Sequence, residues 1–243
     1  MVRMVEMIGE REGLGEVLGE GSAYAAEALG LGEDLVVAVK GRELPAHMPQ
    51  VKREMALLYA VNPGGADHTV SEHSTSYMRF PEGMATLDLL DPQPSDVLND
   101  EMVRYAIYSQ RLISAVDSVC VCKFVYGPAW QLYNVRQWVD ALRAITGWNV
   151  SVWELMKLGE RRINLLRAFN AREGAGVEAD TLPHKLTVPL QGGATDGVAV
   201  TEEEFARARD LYYEIVGWDE SGYPKPAKLK ELGLAEVAVP AGS

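Results

Sequence analysis

Cysteine is nearly absent from this sequence: only Cys120 and Cys122 occur, one residue apart in a C-x-C arrangement. A bridge across a single residue is strained, and two cysteines build no framework, so disulfides are excluded as a source of stability. Two thiolates also fall short of a four-ligand cluster site. If either ligates metal, the other ligands lie outside this chain or on His, Asp or Glu. The plain alternative is a pair of buried thiols acting as small apolar side chains. Long apolar runs are missing as well: none approaches the roughly 18 residues that span a bilayer. The opening MVRMVEMIGEREG carries charges where a secretory signal needs an uninterrupted apolar stretch. A soluble cytoplasmic protein without a membrane partner is expected. Positive charge is scarce, with 23 Lys and Arg against 35 Asp and Glu and a net charge of −12. Phosphate backbones require clustered Lys and Arg, so a nucleic-acid partner is excluded.

What is present is an ordinary globular balance, 47% apolar and 24% charged over 243 residues, enough for one large domain or two modest ones. The pattern is helical over most of the length. Residues 2–29 repeat apolar positions at spacings of three and four, and Gly13, Gly15, Gly19 and Gly21 suggest two helices joined by a tight turn. LVVAV at 35–39 suits a short strand or extended segment. Pro45 and Pro49 then forbid a continuous helix and mark the best domain boundary. The expected organisation is all-α and multihelical, with two helical subdomains, 1–47 and 48–243, joined by this Pro-containing linker.

Further along, residues 51–60 read as a helix and 81–94 as an irregular surface connection rich in Pro and Asp. Residues 100–116 show helical periodicity behind Asn99 or Asp100 as cap. A helix over 135–146 is closed by Gly147. Ser151-Val-Trp-Glu154 has the capping-box spacing and opens a helix to about Arg172, with Leu155, Leu158, Ile163, Leu166 and Phe169 as its core stripe. Thr201-Glu-Glu-Glu204 repeats the box before a helix stopped by Gly217. The stretch between these two helices holds too much Gly, Pro and Asp for regular structure.

Five segments, in order, resemble the carboxy-terminal domains of the aldehyde:ferredoxin oxidoreductase family of tungsten enzymes. They are REGLGEVLGEG with KGRELPAH; NPGGADH at 62–68; Asp117-Ser-Val-Cys-Val-Cys122-Lys-Phe; GERRINLLRAFNAREG at 159–174 with DTLPHK at 180–185; and LYYEIVGWDESGYPKPAKLKELGL at 211–234. The resemblance implies a tungsten (or molybdenum) bis-pterin centre and a four-iron iron–sulfur cluster. It also implies oxidation of a small aldehyde to a carboxylic acid, with electrons passed to ferredoxin. In that family the cluster is held by a C-x-x-C-x-x-x-C run and a distant fourth cysteine ending an Asp-x-x-Gly-x-Cys motif. Cys122 takes the place of that fourth ligand. Asp117 is then the motif aspartate that hydrogen-bonds a pterin ring, a role a carboxylate suits because the pterin edge offers adjacent N–H donors. Val121 lies against the same pterin through its backbone. His68 matches the family histidine near the metal, and an imidazole titrating near neutrality suits proton exchange with an aldehyde or its hydrate. The bland reading of His68 is a solvated loop histidine. His73 and His184 match no assigned catalytic role.

Cys120 departs from the family pattern, where glycine is common. Gly64 and Val70 stand where basic residues commonly meet pterin phosphates. Arg162, Asn164, Arg167 and Asn170 are expected to pin the downstream loop, and Tyr212, Tyr213 and Trp218 to pack over a helical core. The family's amino-terminal pterin domain and three-cysteine run have no counterpart here. The expectation is therefore part of an oxidoreductase that is inactive without a missing amino-terminal half or split-gene partner subunit sharing the cluster. The alternative is a non-catalytic helical scaffold derived from that family.

Overall fold

Local signals in the sequence set the boundaries of the longest helices in the computed structural model, which describes residues 1–237. Eleven α-helices occur among those residues: α1 (Val2–Glu10), α2 (Leu14–Leu18), α3 (Ser22–Ala28), α4 (Arg53–Val61), α5 (Thr75–Arg79), α6 (Pro81–Ala85), α7 (Asp100–Ser118), α8 (Val135–Thr146), α9 (Val152–Arg172), α10 (Glu202–Val216) and α11 (Pro226–Glu231). Two short antiparallel strands, β1 (Ala38–Val39) and β2 (Arg42–Glu43), make the single small sheet of the described residues. The fold is all-α and multihelical, as expected. No helix of the described residues is long and apolar enough to cross a membrane.

The caps act as their chemistry dictates. Asn99 accepts from the Met102 amide at 2.9 Å to start α7. Ser151 and Glu154 exchange reciprocal bonds at the start of α9, satisfying two donors that a helix N-terminus otherwise leaves unpaired. Gly147 and Gly217 end α8 and α10 in the left-handed conformation. The core gathers α4, α7, α9 and α10 around fully buried Met55, Leu58, Met102, Tyr105 and Trp138. Burial of such side chains stabilises by roughly 1.5–3 kcal/mol each before chain entropy is subtracted. Helices α7 and α9 touch through Gly159, where an added Cβ would stand 1.8 Å from the Arg111 carbonyl. No other residue allows that approach.

Three expectations are corrected. Residues 2–29 hold three helices, not two, because the glycines leave room for α2 between the turns. The connection at 81–94 is not a surface excursion: it contains α6, and Met84 and Leu89 are fully buried. The α9 stripe is also rotated. Leu155 and Ile163 are buried, but Leu166 and Phe169 are exposed while Glu160, Asn164 and Arg167 point inward. Those polar side chains stay inside because each has partners. Arg111, Lys157 and Lys228 surround Glu160 at 2.7–3.0 Å. Trp218 donates to Asn164 at 2.9 Å, and Arg167 bonds Asp180 and the Gly222 carbonyl. Arg167 thus pins the downstream loop as expected, whereas Asn170 donates upstream, to the Pro63 carbonyl at 2.9 Å. Tyr212, Tyr213 and Trp218 are buried packing residues.

Candidate active site

Helix α4 organises the site. Its entry residue Lys52 precedes Arg53, and Glu54 and Tyr59 lie within it. Tyr59 donates to the His47 carbonyl at 2.8 Å, fixing the Pro-containing approach to the helix. Glu54, fully buried, accepts from the Ser74 amide at 2.7 Å and holds the loop that follows His68. Burial raises the Glu54 pKa, so its proton is retained more readily than on an exposed glutamate. Gly65 lets the intervening turn pass under the β-hairpin: its φ is +79°, and a Cβ there would meet the Val39 carbonyl at 2.4 Å.

These constraints bring three imidazoles together. Ring centroids of His47 and His73 are 4.3 Å apart, His47 and His68 4.7 Å, and His68 and His73 5.7 Å. They open on a cavity of about 320 Å³ that Glu72, Arg79, Lys123, Phe124 and Trp130 also line. Glu72 is immobilised by Trp130, Gln131 and Ser76, which donate to its carboxylate at 2.7–3.0 Å. All three histidines are shifted toward the neutral imidazole, by burial first and by neighbouring positive charge second. His73 is drawn down to about 4 by burial and then Lys52. His47 follows for the same two reasons, and His68 through burial and then Lys123, against Asp67. Near pH 7 the cluster therefore presents neutral rings able to accept or relay protons.

The second expected motif meets the first through Lys123, whose ammonium donates to the Thr69 carbonyl at 3.1 Å. Lys123 also feels the charges of Asp67, Asp117 and Glu72, while burial lowers its pKa. His68 and the Asp117–Cys122 segment thus belong to one region. Both cysteines are free and exposed, which overturns the reading of buried inert thiols. Asp117 is half exposed and pairs with Arg162 at 3.4 Å. Val121 is half-buried against the core.

Cys120 explains why glycine suits its position. Helix α7 ends in a Schellman motif, with the Val121 amide on the Val116 carbonyl and the Cys120 amide on the Asp117 carbonyl, both at 3.2 Å. Cys120 is the left-handed residue of that motif, with φ +56°. His184 is remote in its contacts: it bonds Thr187 and lines a different groove.

The sequence reading missed His47, His73 and Lys52 as site residues. No spacing rule connects them, and only the KGRELPAH–MPQVK stretch leading into α4 hinted that the chain returns there. Among the described residues no three His, Cys, Asp or Glu side chains are placed to hold a metal ion. The histidine cluster fits that finding, because the Nδ1 atoms of His47 and His73 both face the Lys52 ammonium, at 3.1 and 2.7 Å. An exposed, free thiol at Cys122 suits a single ligand donated outward. A complete cluster site is not formed by the described residues.

Comparison with known proteins extends over the same span. Residues 1–234 match the family described as aldehyde ferredoxin oxidoreductase, domains 2 & 3. The tungsten-containing aldehyde ferredoxin oxidoreductases of Pyrococcus abyssi and Pyrococcus furiosus are each 34% identical over 235 residues, covering 96% of this chain. The aliphatic sulfonate oxidoreductase, WOR-like subunit, of Pyrococcus furiosus is 29% identical and covers 97% of this chain. The chain spans only 34–36% of the length of these relatives. A solved structure, the active site complex BamBC of benzoyl coenzyme A reductase with 1,5-dienoyl-CoA, aligns over 97% of this chain and 39% of its own. Its TM-score of 0.67 at 19% identity shows a shared fold.

Proposed function

Because this chain belongs to the aldehyde ferredoxin oxidoreductase family, matching its domains 2 and 3, we propose that it supplies the proton-handling and cluster-anchoring part of a tungsten-pterin oxidoreductase. The division into a segment ending at residue 47 and a helical domain from 48 onward belongs to the same proposal. The remaining part of the enzyme comes from elsewhere, as an amino-terminal half or a partner subunit. Together they oxidise a small aldehyde to a carboxylic acid and pass electrons to ferredoxin.

The observation that carries this reading is the convergence of the His68 loop and the Asp117–Cys122 segment on Lys123. In the assembled enzyme Cys122 is the fourth ligand of the iron–sulfur cluster, and Asp117 with the Val121 backbone holds a pterin. The metal and pterin, when bound, supply the two-electron redox chemistry. The chain's own residues do the rest. His68, held neutral, accepts a proton from the aldehyde hydrate or returns one to it. Phe80, Phe124 and Trp130 line the cavity with aromatic surface, an apolar wall for the carbon skeleton of the aldehyde. Arg79 and Lys123, which line the cavity, provide cationic groups for the carboxylate product.

One observation favours a second reading, a non-catalytic subunit that kept the fold. The Asp117 carboxylate already pairs with Arg162, which competes with a pterin N–H edge. Co-expression with the product of the adjacent reading frame decides between the two. The enzyme reading expects a complex that contains tungsten and iron and oxidises aldehydes with a dye acceptor. A metal-free, inactive complex sinks it.

A further inference from the structure

The cation behind the histidines has a defined task. Lys52 does not line the cavity; its ammonium meets two of the rings that do, at the Nδ1 atoms of His47 and His73. An ammonium only donates, so both Nδ1 atoms it meets must be acceptors. Each of those imidazoles therefore carries its proton on Nε2. His73 independently agrees: its Nε2 lies 3.1 Å from the His68 carbonyl, an acceptor, so that nitrogen must donate. Two bonds on opposite edges of one ring require the same tautomer. They also form a continuous chain from Lys52 through His73 to the backbone of His68.

We propose that Lys52 is a positioning residue: its ammonium locks His47 as the Nε2–H tautomer, reinforces the same tautomer of His73 and, through the His73 bond to the His68 carbonyl, fixes the His68 loop at the cavity. The proposal deepens the functional reading above and rests on it where it makes His68 the proton carrier. The lysine is well placed for this task. It immediately precedes α4, and the same helix pins the His47 carbonyl through Tyr59 and the Ser74 amide through Glu54. Ring and backbone of the cluster are thus held from one rigid element. The groups that face the cluster are Glu54 and Glu72 toward Lys52, Lys52, His47 and His68 toward His73, and Asp67, Lys123 and Lys52 toward His68. A positive charge so close to two imidazoles also opposes their protonation.

The test is read on the chain labelled with 15N-histidine, free of metal and pterin, by long-range 15N–1H correlation spectra across a pH titration. In the wild type His47 and His73 are expected as pure Nε2–H tautomers, with His73 titrating near 4. In Lys52→Met the His47 ring is expected to show mixed tautomers, His73 to keep its proton on Nε2 through the bond to the His68 carbonyl, and the His73 midpoint to rise. Lys52→Gln keeps a donor but no charge, so it is expected to retain the tautomers while the midpoint still rises. It also serves should Lys52→Met fail to fold. Lys52→Arg restores both. An unchanged His47 tautomer in Lys52→Met, or an unmoved His73 midpoint in both the Met and Gln variants, overturns the proposal. The role of His68 is read separately, as turnover of the assembled enzyme carrying His68→Gln. Full turnover there refutes the proton-carrier reading, whereas the cofactor-free spectra judge Lys52 alone.

Discussion

Replacing Asp180 by Asn should destabilise this chain more than any single change at its surface. The carboxylate is fully buried and accepts from Lys40 at 2.7 Å, Arg167 at 2.9 Å and Tyr213 at 2.5 Å. It therefore ties the β1–β2 hairpin, where Lys40 sits, to α9 and α10. Lys40 further donates to the Ala60 and Asn62 carbonyls, so the same node steadies the turn that leads to His68. Arg167 has no exposed side-chain surface, and its Nη2 already lacks a partner. Removing the negative charge leaves two buried cations uncompensated. Breaking a buried pair in this way costs about 3–5 kcal/mol, a large part of the 5–15 kcal/mol that holds a typical domain. The loss can be followed by urea denaturation with tryptophan fluorescence, since Arg167 stacks 4.7 Å over the Trp218 ring. With a denaturant slope of about 2 kcal/mol per molar, the midpoint should fall by about 1.5–2.5 M. A loss below about 1 kcal/mol in Asp180→Asn refutes the reasoning.

Two other changes test local features. Cys120→Gly should stabilise by up to about 1 kcal/mol, because it relieves a left-handed conformation at the end of α7 that costs an L-residue about that much; a lower melting temperature in the variant contradicts the assignment of strain. His73 predicts acid lability. Its pKa falls from 6.5 in the unfolded chain to about 4 in the fold, so between those pH values the unfolded state binds more protons. Its contribution is intact above about pH 6.5 and lost as pH drops toward 4. The undiscounted shift is worth about 3 kcal/mol, and its partial exposure reduces this to about 1–2 kcal/mol. Unfolding free energies of wild type and His73→Gln should therefore converge or cross by that amount on going from pH 7 to 4.5, and parallel curves would contradict it.

The sequence was most legible where chemistry is local. Asn99, Ser151 and Gly217 announce helix ends because caps bond within three or four residues. The α9 stripe was misjudged because Glu160, Asn164 and Arg167 are buried by partners far away in the chain, and no periodicity records those. Apolar Leu166 and Phe169 consequently face outward on a surface left free. At the site, Asp117, Cys122 and His68 were read from motifs that resemble a known family, whereas His47, Lys52 and His73 come together only once α4 is folded. Cys120 illustrates the difference: its departure from glycine was visible in sequence, but the φ angle that gives the departure its meaning was not.

The central claim is that Cys122 completes an iron–sulfur cluster whose other ligands lie outside this chain. It is tested most directly by iron analysis and electron paramagnetic resonance of the reduced complex with the missing part of the enzyme, comparing wild type, Cys120→Ser and Cys122→Ser. The account predicts a reducible four-iron cluster in wild type and Cys120→Ser, and its loss or conversion to a species with altered spectrum in Cys122→Ser. A full complement of iron with an unaltered signal in Cys122→Ser would contradict it.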